Sequence, residues 1–156
     1  MNQKTKVFIT ALLRQNARIK LAVIARKTGM PVSTLFDYVH DPVCLGITRY
    51  CALLDFPALG FATRATLFLK AGKDKRDALR EHLRKSGSVN SLSRVNNGYD
   101  FMADCIFKDL RELEEFCEHL ERSYGAKKEV HFVIEELKRE TFFADTVVLE
   151  SSGGAA

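Results

Sequence analysis

The stretch that most constrains the fold is residues 94–109, Arg-Val-Asn-Asn-Gly-Tyr-Asp-Phe-Met-Ala-Asp-Cys-Ile-Phe-Lys-Asp. Two runs rich in β-formers, 89–95 and 99–108, flank Asn96-Asn97-Gly98. Asn and Gly tolerate the positive φ angles that a tight hairpin needs. Asp109, with Glu112 three residues on, has the spacing of a capping box, which opens a helix by supplying acceptors to its free N–H groups. Leu113, Phe116, Cys117, Leu120 and Tyr124 then form an apolar stripe at helical spacing over 110–124, and Gly125 ends the helix. Strand, turn, strand and helix therefore follow in direct succession.

The chain on either side completes a pattern. Upstream, 62–70 alternates as a strand (Ala65, Leu67 and Leu69 against Thr66, Phe68 and Lys70), and Ala71-Gly72-Lys73 turns into a helix over 74–85 with Ala78, Leu79 and Leu83 inward. Downstream, 128–136 reads as a strand with Val130, Phe132 and Ile134 on one face. The order βαββαβ predicts an α+β, ferredoxin-like (ACT-like) domain over 61–149: a four-stranded antiparallel sheet with two helices on one side. Phe101, Ala103, Cys105 and Phe107 share one face of their strand, but Met102 and Ile106 point the other way. Two helices cover one face only, so the second is expected to pack on another subunit or under the apolar segment 141–149. Residues 150–156, Ser-Ser-Gly-Gly-Ala-Ala, read as a disordered tail.

The front of the chain differs in charge. Residues 1–50 carry eight basic and two acidic side chains, a net +6, whereas 51–156 carry sixteen and eighteen, a net −2. Such a block suits a polyanion; a solubilising surface is the plainer alternative. A helix is expected over 3–16, with Val7, Phe8, Ala11 and Leu12 on one face. A second follows over 20–28, with Leu21, Ile24, Ala25 and Thr28 at i, i+3, i+4, i+7 spacing. Gly29 stops it. Ser33 is a candidate N-cap for a third helix over 34–40, which Pro42 ends. Leu35, Phe36 and Val39 are expected inward, leaving Ser33, Thr34, Asp37, Tyr38 and Asp41 outward. Two helices joined at a glycine turn make a helix-turn-helix candidate over 1–50, with the third helix in a DNA major groove. Residues 46–54 read as a connecting strand, and Asp55-Phe56-Pro57 with Gly60 mark a linker over 51–60.

Other chemistries find little footing. Cys44, Cys51, Cys105 and Cys117 contain no CxxC pair and read as free thiols in a reducing compartment. The four His are too scattered for a zinc site, and no cofactor is expected. The apolar run 7–13 is too short to span a membrane, and a cytoplasmic protein is expected. No phosphate loop or nucleophile elbow occurs. Asp100 and Asp104 share a strand face, as an acid–base pair would require, but a turn-fixing Asp100 beside an exposed Asp104 is the better account of them.

Taken in order, Ala25-x-x-x-Gly29, Gly46-Ile47, Tyr50-x-Ala52-x-Leu54-Asp55, Leu59-Gly60, Val95-Asn-Asn-Gly-Tyr-Asp100, Phe101 and Lys108-Asp109 resemble the Lrp/AsnC (leucine-responsive, feast/famine) transcription regulators over roughly 7–141. The resemblance implies an N-terminal winged helix-turn-helix and a C-terminal domain that dimerises sheet to sheet, often building octamers. It also implies small effectors, usually amino acids, bound near the turn that here is Asn97-Gly98-Tyr99-Asp100. Exposed N–H groups there suit a carboxylate, and Asp100 an ammonium. The expected function is a regulator binding double-stranded DNA with palindromic half-sites.

One departure bears on DNA. The family's third helix usually carries several Arg or Lys, but 33–41 has none and has Asp37 and Asp41. DNA affinity then falls to Arg18, Lys20, Arg26, Lys27 and Arg49, with Ser33, Thr34 and Tyr38 able to meet phosphates or base edges and Asp37 a base. An alternative is an amino-acid-sensing, oligomer-forming module whose degenerate helix-turn-helix no longer reads sequence. The siroheme decarboxylases look similar at the fold level, but the chain offers no His-rich tetrapyrrole site, and an enzyme is not expected.

Overall fold

The computed structural model describes residues 2–143. The expectations for 144–149 and for the tail lie outside them. The chain divides into two compact units, one built from residues up to Leu53 together with those from Leu137 on, the other from Leu54–Glu136.

The first unit holds α1 (Gln3–Gln15), α2 (Leu21–Thr28) and α3 (Val32–His40), followed by a 3-10 turn at Pro42–Leu45. Asn2 caps α1, its Oδ1 accepting from the Thr5 N–H at 2.8 Å. The buried side of α1 is Ile9, Ala11, Leu12 and Leu13; of the expected face, Ala11 and Leu12 are buried and Phe8 packs against the core, while Ile9, in one cluster with Ile24, Leu35 and Leu45, takes the place expected of Val7. Gly29 closes α2 at φ 71°, a left-handed conformation in which a Cβ would be strained. The Thr10 hydroxyl lies 3.0 Å from the Leu45 carbonyl and holds the 3-10 turn against α1.

Three expectations fail here. Ser33 caps nothing: α3 begins at Val32, with Pro31 as its extended N-cap residue. Residues 46–54 form no strand, although they are rich in β-formers. A strand needs a neighbour to take its N–H and C=O groups, and no strand occurs among the described residues of this unit, so the wing that the resemblance implies is not formed either.

The second unit is the βαββαβ domain: β1 (Thr63–Lys70), α4 (Arg76–Lys85), β2 (Val89–Arg94), β3 (Phe101–Phe107), α5 (Leu110–Tyr124) and β4 (Lys127–Phe132). The sheet order is β2-β3-β1-β4, antiparallel throughout. β1 and β3 pair from Thr63 with Phe107 to Leu69 with Phe101. That register puts Ala65, Leu67 and Leu69 beside Phe101, Ala103, Cys105 and Phe107 on the helix side, where Leu79 and Leu83 of α4 and Leu113, Cys117 and Leu120 of α5 close the core. Each fully buried Leu contributes about 2 kcal/mol against exposure.

Asp109 caps α5 as its spacing predicts, accepting from the Glu112 N–H at 3.0 Å. The Glu112 carboxylate reaches back to the Lys108 N–H at 2.9 Å, one residue before the cap. β4 ends at Phe132, short of the expected 136. Its last ladder pair is Ala65 with Phe132, and β1 starts only two residues earlier, so little strand remains to pair with. Phe132 and Ile134, expected to share a strand face with Val130, are 52% and 97% exposed.

Candidate nucleic-acid and effector sites

In the first unit, Arg18, Lys20, Arg26, Lys27 and Arg49 are all exposed. None makes an ion pair among the described residues, unlike Arg14, which is taken by Glu140 and the Phe142 carbonyl. Arg26 and Lys27 occupy the last turn of α2, immediately before the turn into α3. Cations are favoured at that end of a helix by its dipole and remain free to meet phosphate.

The face of α3 is rotated from the expected one. Leu35 is fully buried, with Val39 and Tyr38 packed beside the same core, whereas Phe36 is exposed. At about 100° per residue, Tyr38 lies only about 60° from Leu35 and Phe36 about 100° on the other side. Tyr38 is therefore drawn inward and Phe36 is left out. The Phe36 ring stacks on His40, with centroids 3.8 Å apart. Of the residues assigned to base contact, Ser33 and Asp37 are exposed, Thr34 and Tyr38 half-buried.

In the second unit the hairpin turn has the conformation its residues require, with Asn97 at φ 62° and Gly98 at φ 97°. The Val95 N–H donates to the Asp100 carbonyl at 3.1 Å, closing the turn. Asn96, Asn97 and Gly98 are exposed, Tyr99 and Asp100 half-buried. Asp100 is not a free carboxylate. One oxygen accepts from the Ala71 N–H at 3.0 Å, and the other lies 2.8 Å from the Arg76 Nε as an ion pair. That Nε makes no aligned hydrogen bond, so the contact is chiefly electrostatic. The expected role of Asp100 as acceptor for an effector's ammonium is thus met by a competitor within the domain.

The sheet face away from the helices carries Phe68, Met102 and Ile106, all half-buried. Around them lies a polar network. Asp104, expected to be exposed, is held by Arg64 Nε and Nη2 at 2.9 and 3.1 Å and by Asn90 at 2.9 Å, with Glu136 on the remaining Arg64 nitrogen. The fork lifts the Arg64 pKa further above its ordinary value. Tyr99 packs on Phe68, with centroids 5.5 Å apart, and donates to Glu129, whose other oxygen lies 2.7 Å from His131 Nε2. The hydrogen bond from Tyr99, then that from His131, holds the Glu129 carboxyl below its usual range. On the helix side, burial pushes the Cys105 thiol up to about 12, and burial likewise raises Cys117.

The Asp100–Ala71–Arg76 and Tyr99–Glu129–His131 groupings were not legible in sequence, since each joins residues from separate elements. The one available signal was the adjacency of Arg76 to the turn that follows β1. Among the described residues no three His, Cys, Asp or Glu converge as metal ligands, and no helix is long and apolar enough to cross a membrane.

Residues 65–142 match the Lrp/AsnC ligand-binding domain. Over nearly the whole chain, a Pyrococcus horikoshii protein called an uncharacterized HTH-type transcriptional regulator is 28% identical across 133 residues, 84% of each chain. Among solved structures, a Neisseria meningitidis transcriptional regulator in complex with L-methionine aligns with a TM-score of 0.79 at 20% identity, covering 89% of this chain and 94% of that one. LrpC of B. subtilis aligns at 0.77 and 16%, covering 88% and 97%. The structural likenesses establish the fold, and the matched domain establishes the lineage: this chain belongs to the Lrp/AsnC family of transcriptional regulators.

Proposed function

We propose that the chain is a DNA-binding regulator that dimerises through the open face of its sheet and responds to a small, amino-acid-like effector. The observation that carries the DNA reading is the set of exposed cations Arg18, Lys20, Arg26 and Lys27, without ion pairs among the described residues, in a stretch, residues 1–50, of net +6. Phe68, Met102 and Ile106 supply an apolar centre for sheet-to-sheet packing, and the polar network around them fixes register. A dimer presents two α3 helices to half-sites about 34 Å apart, which suits a palindromic operator. The effector reading draws on the matched ligand-binding domain and on the methionine bound by the Neisseria relative. With Asp100 engaged by Arg76, the part of the turn left to an effector is the exposed backbone of Asn97 and Gly98, which suits its carboxylate.

Fluorescence anisotropy with the chain's own upstream region and a scrambled duplex, at two salt concentrations, tests the DNA reading. Selective binding that weakens steeply with salt is expected. Arg26→Ala with Lys27→Ala should weaken binding to every duplex and flatten the salt slope by about 0.9 for each phosphate no longer neutralised. Asp37 and Asp41, exposed and without ion pairs among the described residues, favour a second reading in which the unit no longer discriminates sequence. Equal, weak binding to both duplexes would establish it. Light scattering separates dimer from octamer.

A further inference from the structure

The outer surface of α3 is unusual for a helix facing a polyanion. Val32, Ser33, Phe36, Asp37, His40 and Asp41 are exposed, Val32 at 48% and Phe36 at 49%. The Phe36 ring is held in place by His40, which stacks on it and whose Nδ1 lies 3.0 Å from the Phe36 carbonyl. Neither carboxylate has an ion-pair partner among the described residues, and the helix contains no Lys or Arg. Such a face gains nothing from phosphates, which repel a carboxylate at close range. It is complementary to base edges instead. In the major groove thymine offers a C5 methyl to apolar groups, and cytosine offers its N4 amino donor to a carboxylate. Guanine presents only acceptors there and thymine the O4 acceptor, so a carboxylate disfavours both.

An apolar, acidic helix face would also suit a protein partner. Arg18, Lys20, Arg26 and Lys27 in the same unit, without ion pairs among the described residues, favour the nucleic acid. Val32, Ser33, Phe36 and Asp37 occupy the first two turns of α3, the part of a recognition helix that reaches base edges. We propose that Phe36 and Asp37 read sequence for this unit, Phe36 by packing on thymine methyls and Asp37 by accepting from a cytosine amino group. Affinity then comes from the cations outside α3 and selectivity from the uncharged and acidic groups on it. The inference rests on the DNA-binding reading above and names what that reading recognises.

The test is selection of duplexes from a random library by the full chain, followed by anisotropy on the enriched site at two salt concentrations. Thymine and cytosine are expected at neighbouring major-groove positions. Replacing those thymines by deoxyuridine should weaken the wild type about fivefold and leave Phe36→Ala unaffected. Asp37→Ala should lose the preference for cytosine while binding unrelated duplexes more tightly. Both side chains are exposed, so the variants should keep the wild-type melting temperature. Salt-dependent binding with no enriched sequence would overturn this assignment and leave the regulator intact. So would a cytosine preference that survives Asp37→Ala, or equal uridine sensitivity in wild type and Phe36→Ala. Absence of salt-dependent binding to any duplex would overturn both readings and turn this face over to a protein partner.

Discussion

Asp100 does more than fold a turn. By accepting from the Ala71 N–H and pairing with Arg76, it fastens the end of the β2–β3 hairpin to the start of the β1–α4 connection. Its side chain is only 14% exposed, so removing it strands an N–H and a guanidinium where water reaches poorly. Asp100→Ala should cost about 2 kcal/mol in urea unfolding, and Asp100→Asn, which keeps an acceptor, clearly less. Equal losses would mean that the ion pair, not the hydrogen bond, carries the effect. His82 is a second informative residue. Burial first, then His119, lowers its pKa from the ordinary 6.5. A depressed His pKa favours folding while the ring is neutral, and that advantage disappears as pH falls below 6.5 towards the folded-state value. Melting temperatures between pH 7.5 and 5 should therefore fall less for His82→Gln than for wild type. Parallel curves would count against the coupling.

At the scale of elements, α5 shows what a local signal achieves. Asp109, Glu112, the apolar stripe and Gly125 all act within a turn or two of chain, and the helix runs over Leu110–Tyr124 as those residues dictate. Asp109→Ala should lower the thermal stability of the second unit by about 1 kcal/mol, with Asp109→Ser near wild type. The β2–β3 hairpin is legible for the same reason. Residues 46–54 mislead because β-propensity speaks only of side chains, whereas a strand also needs a partner. Phe36 and Tyr38 exchange places because hydrophobicity ranks Phe first, while the buried direction of α3 is set by Leu35. The exposure of the basic residues of the first unit follows from their charge. The partners of Asp100, Asp104 and Glu129 do not, since each comes from another element.

At the scale of the molecule, the half-buried apolar centre of the open sheet face is where assembly would act. Phe68→Glu should leave the fold intact, because the side chain lies outside the helix-side core, yet shift the chain to monomer in light scattering. Retained dimers would move the interface elsewhere. The first unit carries a consequence of its own. Its three helices precede the βαββαβ domain in the chain, but Arg14 of α1 binds Glu140 and the Phe142 carbonyl, which come after it. During synthesis from the N-terminus, the helices emerge first and wait for more than a hundred residues before that clasp can form. A fragment carrying the helices alone would stay in this waiting state, with α1 still holding out an arginine to a segment the fragment never contains.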